Sequence, residues 1–298
     1  MTYFEFESKT CDVNINSSVS RIRQVRRWPL FSIIVIAVLI IFAVFAPLIA
    51  PHDPKIGELE DRHVPPLFFG GTADHILGTD GLGRDIFSRV VYGSRVTVSI
   101  AALALGVGCV IGTLLGIVSG YYGGWVDEVI MRMVDIKFAV PLILIALALV
   151  VSLGSSLGLL LGLLVFMVWG HFSRQVRAEV LVIIKTDYVS AARLSGASPI
   201  RIMSHHILPG VISIMVVVGT LQVGAIVLAE ASLSFLGAGV PPPTAAWGSM
   251  VSDGRLYIVT AWWVSLIPGL AIGMLVVSIT LLGDWLRDRL DPQLRQVP

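Results

Sequence analysis

The sequence is poor in charge and in cysteine. Only 14% of its 298 residues are charged, whereas 55% are hydrophobic, and the mean hydropathy is +0.86. A soluble domain carries about 25% charged residues, so this chain has too few polar side chains to cover a water-soluble globule. Of the 2 cysteines, Cys11 lies in a polar stretch and Cys109 in an apolar one, so we expect no disulfide. These shortages indicate an integral membrane protein.

Motifs for catalysis and for binding nucleotides or metals are also scarce. No glycine is followed by lysine, which excludes the phosphate-binding motif G-x-x-x-x-G-K-[ST]. H-E-x-x-H is absent, and the pair His205 and His206 has no companion ligands at zinc spacing. The net charge of +1 gives no reason to expect nucleic acid. We therefore expect no catalytic, cofactor-binding or metal-binding residues in this chain, and no nucleic-acid partner.

One short pattern, G-x-S-x-G at 154–158, also occurs in hydrolases. A nucleophile elbow needs a strand before the serine and a helix after it, whereas this match lies between two apolar segments. We therefore interpret it as a tight turn between membrane helices. The alternative, a membrane-embedded hydrolase using Ser156, predicts that a serine-reactive probe labels the protein.

Six apolar segments predict six transmembrane helices and an all-α fold. Crossing the hydrocarbon core takes roughly 20 helical residues, and the fourth segment is short unless its polar end continues the helix. The segment cores are nearly free of ionisable residues, and we interpret His171 and Glu230 as helix-end residues and not members of a proton relay. The predicted helices are 30–50, 96–120, 136–153, 156–172, 207–228 and 261–282.

The lysines and arginines predict the orientation. With the N-terminus in the cytoplasm, fifteen of the 21 lie on inner segments and six on outer ones, as the positive-inside rule requires. Both termini are then cytoplasmic, and the basic tail is expected to rest on anionic lipid. The predicted organisation is a cytoplasmic tail at 1–29, a first helix at 30–50, an extracytoplasmic segment at 51–95, a five-helix core at 96–283 and a cytoplasmic tail at 284–298.

The outer segment ends in a turn-rich stretch that precedes a predicted short amphipathic helix before the second span. Here Asp80 and Asp85 alternate with Arg84 and Arg89. Local ion pairing is the simpler explanation of this alternation, and direct binding of a solute is the alternative.

A second outer loop, 234–248, contains three consecutive prolines and is predicted to be non-helical. Trp247, Trp262 and Trp263 lie where aromatic residues at the membrane interface are expected.

The second span carries three consecutive G-x-x-x-G spacings, which let another helix approach closely in lipid. We predict that a helix, from this chain or a partner, packs on Gly108, Gly112, Gly116 and Gly120.

The longest inner loop, 177–210, is the most distinctive segment. A helical stretch leads through Ala191 and Ala192 to a break at Gly196, and a second short helix follows, with Ser198 as its cap and Pro199 at its first position. Such a helix-turn-helix of small side chains suits docking in a groove of another protein. An ordinary connecting loop is the alternative on these features alone.

This loop resembles the EAA loop of ABC importer permeases, whose pattern is E-A-A, three residues, Gly, nine residues, then I-x-L-P. Ala191, Ala192 and Gly196 match the pattern, and Leu208 follows at the right spacing with its proline. Two positions differ from the pattern: Ser190 stands in place of the glutamate, and a histidine stands in place of the isoleucine. Asp187 is a nearby carboxylate. The coupling residues that the resemblance implies are Asp187, Ser190, Ala191, Ala192, Arg193, Gly196, Ala197 and Ser198.

The chain as a whole resembles the second permease subunit of the dipeptide/oligopeptide/nickel ABC importer family. The resemblance covers the chain from about residue 30 to its end. The matching stretches are LGTDGLGRDIFSR (77–89), GYYGGWVDEVIMRMVDI (120–136), DYVSAARLSGAS (187–198), EASLSFLGAGVPPPTAAWGSM (230–250) and GDWLRDRLDPQLR (283–295).

This resemblance implies a type I ABC importer permease fold in the cytoplasmic membrane of a bacterium or archaeon. It further implies a homologous permease partner, one or two cytoplasmic ABC ATPase subunits that bind ATP and Mg²⁺, and an extracytoplasmic solute-binding protein. The expected solutes are di- or oligopeptides. The competing class is a secondary transporter or channel without an ATPase, which would require charged or discontinuous helices in mid-membrane.

Overall fold

The computed structural model describes residues 28–290, and these are nearly all helical. The tail predicted at 1–29 lies almost wholly outside this range, as do Cys11 and the last eight residues of the C-terminal tail. The helices are α1 (Trp28–Ile49), α2 (Ile86–Tyr122), α3 (Gly124–Ala139), α4 (Leu142–Leu153), α5 (Leu157–Ile183), α6 (Asp187–Leu194), α7 (Pro199–Ile202), α8 (Leu208–Phe235), α9 (Trp247–Gly254) and α10 (Trp263–Leu290).

Within the described residues, five helices are long and apolar enough to cross a membrane, and α3 with α4 makes six if that bent pair counts as one span. The third segment, predicted as one helix over 136–153, is not straight. Pro141 cannot continue a helix and forces Val140 into an extended conformation (φ −102°, ψ 123°). The axes of α3 and α4 therefore meet at 79°.

Several helices extend beyond the predicted segments: α8 and α10 end seven or eight residues later than predicted, and α2 and α5 differ most. α2 begins at Ile86 and has 37 residues, about 55 Å, so the short amphipathic helix predicted before the second span is its first turns. α5 continues to Ile183 and does not stop at Phe172, because Val176 and Val180 on its polar half are buried against neighbouring helices. His171 consequently lies in the middle of α5 and not at a helix end.

The helix that packs on the glycines of α2 is α5 of the same chain. A Cβ atom on Gly112 would lie 2.6 Å from the Cβ of Phe172 and even closer to the Trp169 carbonyl oxygen, and one on Gly116 would lie 2.7 Å from the Ser173 carbonyl oxygen. Gly108 faces Val168 in the same way, and Gly120 faces Val180. Only glycine allows this backbone-to-backbone approach.

Buried hydrophobic residues form two clusters. The larger joins the long helices through most of their length and reaches the loops at the 51–85 end. The smaller lies at the opposite end, where Ile117 of α2 and Val180 of α5 pack with Val189 of α6 and Ile207. The smaller cluster therefore attaches the 187–202 segment to the membrane helices.

Candidate coupling site and its surroundings

The 187–202 segment is a helix-turn-helix with a defined turn. After α6, the amide of Gly196 donates to the Arg193 carbonyl at 3.0 Å, and the amide of Ala197 donates to the Ala192 carbonyl at 3.1 Å. This pair of bonds is a Schellman motif, and it places Gly196 at φ +80°. A Cβ atom on Gly196 would meet nothing within 4 Å. Glycine is therefore favoured here by backbone conformation and not by crowding.

The second helix of the segment, α7, is capped as its sequence suggests, but it is not the separate short helix that was predicted. A π-helical turn at Met203–Ile207 joins it to α8, so that helical structure runs from Pro199 to Phe235. The Ser198 hydroxyl accepts a hydrogen bond from the Arg201 amide at 3.4 Å, and Pro199 takes the first helical position. In α6, Asp187 lies in the first turn, where a negative charge complements the helix dipole. The Ser190 hydroxyl donates to the Thr186 carbonyl at 3.2 Å, which stabilises the same turn.

One face of the segment is anchored and the other is open. Val189 and Ile202 are fully buried, and Ala192 and Ala197 pack beside them. The guanidinium of Arg193 lies 5.3 Å from the centre of the Tyr121 ring at the end of α2. On the other face, Ala191 is exposed. Two large apolar residues are also exposed: 91% of Leu194 and 74% of Ile200 are accessible.

A buried ion cluster lies at the opposite end of the helices. The Asp80 carboxylate accepts from Arg84 and from Arg89, each at 2.8 Å, so the local ion pairing expected from the sequence involves Asp80. Asp85 instead caps α2 by accepting from the Ser88 amide. Asp253 of α9 lies 3.9 Å from both arginines. Partial burial raises the pKa of Asp253, although Arg89 and Arg84 act in the opposite direction.

Two of the three tryptophans predicted at the membrane interface are buried within the protein instead. Trp247 is fully buried, its Nε1 donates to the Val90 carbonyl at 2.9 Å, and its ring fills the space beside Gly93. Trp263 donates to the Thr79 carbonyl at 3.2 Å. Trp247 also begins α9, so the irregular loop predicted at 234–248 covers only 236–246.

The membrane helices contain buried ionisable residues that were not expected from the sequence. Lys137 is buried beside the break between α3 and α4, and its Nζ donates to the Met167 carbonyl at 2.5 Å. Lys137 and His171 line a cavity of about 430 Å³ at this break. Glu230 is 1% exposed and accepts from the Ser234 hydroxyl at 2.7 Å, so it is not an exposed helix end. A discontinuous helix and buried charges are therefore both present.

Ser156 has a structural role. It is the N-cap of α5, and its hydroxyl accepts from the Leu159 amide at 3.2 Å. The turn at 154–156 joins two helices, α4 and α5, and is not preceded by a strand. The strand-turn-helix context of a nucleophile elbow is therefore missing at this position.

Comparison with known families decides the class of the protein. The model of the family described as "binding-protein-dependent transport system inner membrane component" matches residues 112–296, more than half of the chain. The chain belongs to this family of permeases. A second model, the N-terminal TM domain of oligopeptide transport permease C, matches residues 26–66 of the permease.

Individual relatives of the permease agree with this assignment. The glutathione transport system permease protein GsiD of Escherichia coli is 42% identical over 87% of this chain and 84% of its own length. The di/tripeptide transport system permease protein DppC of Pseudomonas aeruginosa is 39% identical over 86% of each chain. The dipeptide transport system permease protein DppC of Haemophilus influenzae is 37% identical over 91% of this chain and 92% of its own length.

Among solved structures, the permease is similar to a chain of the inward-facing MetNI methionine ABC transporter. The TM-score is 0.57 at 20% identity, over 69% of this chain and 98% of the other. The permease therefore has the fold of a type I ABC importer permease. The matched family is a transport component and not a catalytic enzyme, and the chain is a multi-pass membrane protein.

Proposed function

We propose that this permease forms the translocation path of an ATP-driven importer together with a homologous permease. Its own sequence has no phosphate-binding motif, so the energy must come from separate ATPase subunits that bind ATP and Mg²⁺. An extracytoplasmic solute-binding protein delivers the solute in this proposal. The relatives are named for peptides, dipeptides and glutathione, so we expect small peptides or peptide-like solutes.

The observation that carries this proposal is the helix-turn-helix at 187–202, with Leu194 and Ile200 exposed on its outer face. Exposed apolar side chains on a rigid, capped element are suited to docking in a hydrophobic groove. The anchored face packs on Ile117 at the end of α2 and on α5. A movement of the segment is therefore transmitted directly to two of the long helices, α2 and α5.

The proposed orientation places this segment in the cytoplasm. The excess of lysine and arginine on the segments at that end supports it. Both termini are then cytoplasmic, and residues 51–85 are extracytoplasmic. In this orientation the docking segment meets the ATPases, and the ion cluster around Asp80 is on the side of the binding protein.

Cysteine cross-linking tests the docking. In a background lacking Cys11 and Cys109, we expect Leu194→Cys to cross-link to an ATPase subunit in native membranes. Val259→Cys is the matched control, because Val259 is also 91% exposed but lies at the opposite end. In intact cells, a membrane-impermeant maleimide should label only Val259→Cys. Cross-linking of Val259→Cys to an ATPase subunit, or no such cross-link from Leu194→Cys, would contradict the proposal.

The turn provides a second test. A non-glycine residue at φ +80° costs about 1–2 kcal/mol, whereas asparagine tolerates this region better than other residues. We expect Gly196→Val to impair solute-stimulated ATP hydrolysis by the assembled transporter, and Gly196→Asn to retain most of it. Unchanged hydrolysis in Gly196→Val would show that this turn does not couple the subunits.

Purification in mild detergent separates the proposal from a secondary transporter. We expect a second multi-span permease and one or two P-loop ATPases to co-purify with this chain. A chain that runs alone under several gentle conditions, and transports without ATP, would favour the secondary-transporter class. The break at Val140 would then be that transporter's discontinuous helix, and Lys137 would be its buried charge.

A further inference from the structure

Three potential metal ligands converge where α1 ends and α2 begins. His52 follows α1 by three residues, His75 lies in the loop between the helices, and Asp85 is the N-cap of α2. One ligand atom from each residue lies within 4.8 Å of the other two. No metal site was expected from the sequence, and these three residues match no known ligand spacing.

The distances suit a small divalent cation. Nδ1 of His75 is 3.1 Å from Oδ1 of Asp85, and Nδ1 of His52 is 3.9 Å from Oδ2 of the same carboxylate. Ligand bonds of about 2.0–2.2 Å place the ligand atoms of tetrahedral Zn²⁺ about 3.3–3.6 Å apart. Side-chain adjustments of about 1 Å would therefore bring the three atoms to coordination distance.

The three residues are held in position by other contacts. The His52 amide donates to the Ser88 hydroxyl at 3.1 Å, which fixes its backbone on the first turn of α2. The buried Asp85 carboxylate accepts from the Ser88 amide at 2.8 Å, and a carboxylate has further lone pairs for a metal. On the far side of the His75 ring, Nε2 is 3.8 Å from Oδ2 of Asp61. A metal-bound histidine usually donates its second N–H to a carboxylate, and a small movement of the Asp61 side chain would bring it within hydrogen-bond distance.

The surroundings favour a cation. The three residues border a cavity of about 390 Å³. Its lining, all in the described part of the chain, includes five carboxylates and two histidines but no lysine or arginine. The acidic residues are Asp53, Glu58, Asp61, Asp74 and Asp85.

We propose that His52, His75 and Asp85 bind Zn²⁺ or a neighbouring first-row divalent cation, with Asp61 orienting His75. Imidazole and carboxylate ligands suit these metals, and water completes the coordination. Because the ligands come from three segments, the bound metal ties the end of α1 to the start of α2 and holds the intervening loop. This site is independent of the proposed docking segment, which lies at the opposite end of the helices.

Metal binding to the purified full-length chain, carrying a histidine-free affinity tag, tests the proposal. We expect one saturable Zn²⁺ per chain by equilibrium dialysis, and visible Co²⁺ absorption of a low-coordinate site. Asp61→Asn should weaken Zn²⁺ binding by about 10–100-fold, and His52→Ala by at least as much. His205→Ala is the matched control, since it removes an exposed histidine from the opposite end and should bind as the wild type does.

Thermal unfolding supplies a second measurement that does not depend on transport. A ligand that binds only the folded state raises the Tm, so Zn²⁺ should raise the Tm of the wild type and of His205→Ala, but not that of His52→Ala. The His52 side chain is partly exposed, so its replacement leaves the fold intact. Absence of saturable binding in the wild type, wild-type affinity in His52→Ala and Asp61→Asn, or loss in His205→Ala would each overturn the proposal.

Discussion

The close contact between α2 and α5 predicts a large difference between two glycines of the same helix. Gly112 lies against the Trp169 carbonyl and Phe172 of α5, whereas a Cβ atom on Gly106 would meet nothing within 4 Å. Replacing either glycine with alanine gives the same gain in helix propensity, about 0.5–1 kcal/mol. That gain cancels when the two variants are compared, so the difference between them measures the packing alone.

The magnitude follows from what the added methyl group meets. Overpacking costs about 1–3 kcal/mol, and we expect Gly112→Ala to lie in the upper part of this range, because the nearest atom belongs to the backbone and cannot rotate away. Relief requires α5 to move, which also loosens the contacts at Gly108 and Gly116. Gly108→Ala should cost less, because the nearest atoms, Cγ1 and Cβ of Val168 at 2.7 and 2.8 Å, lie farther from the added carbon than the Trp169 carbonyl oxygen does at Gly112.

Reversible unfolding in mixed micelles, followed by tryptophan fluorescence, measures these free energies. The expected order of the free energy of unfolding is Gly106→Ala highest, then Gly108→Ala, then Gly112→Ala. If Gly112→Ala were as stable as Gly106→Ala, the close approach of the two helices would be wrong.

Two further predictions concern ionisable groups. Arg177 of α5 donates to Asp127 of α3 at 2.5 and 3.0 Å, whereas Arg174 forms its ion pair between the same helices in a largely exposed position. In the same unfolding assay, Arg177→Ala should cost roughly 1 kcal/mol and Arg174→Ala close to nothing; equal costs would refute this. Burial, and to a lesser extent Arg62, lower the pKa of His63 below 6.5 in the folded protein, although Asp80 opposes the shift. The unfolded chain therefore takes up the proton first, and the free energy of unfolding should fall as the pH drops below about 6.5. His63→Asn, which tolerates the φ of +56°, should weaken this pH dependence, and an unchanged profile would show that His63 is not responsible.

Features set by neighbouring residues could be predicted from the sequence. The apolar segments located the long helices, and Ser198 and Pro199 marked the start of α7 because a cap and a first-turn proline act within one turn. The break at Val140 was visible in principle, since Pro141 stands inside the third segment. The apolar run on both sides of the proline concealed it.

Contacts between distant residues could not be predicted from one sequence. The ring of Trp247 belongs beside Gly93, and nothing near either residue indicates the other. Asp253 approaches Arg84 and Arg89 only because α9 folds back over the start of α2. The same holds for His52 and His75, which face each other at 4.9 Å between ring centres only in the folded loop.

The two tryptophan–carbonyl bonds impose an order on biogenesis. Trp247 donates to a residue 157 positions earlier in the sequence, and Trp263 to one 184 positions earlier. The ribosome has therefore synthesised more than four fifths of the chain before the contacts at the 51–85 end can form. Until then the surface beside Gly93 stays uncovered, and exposed apolar surface of this kind is prone to aggregation. A nonsense mutation before Trp247 should therefore yield a product that inserts its early helices but is removed by membrane proteases.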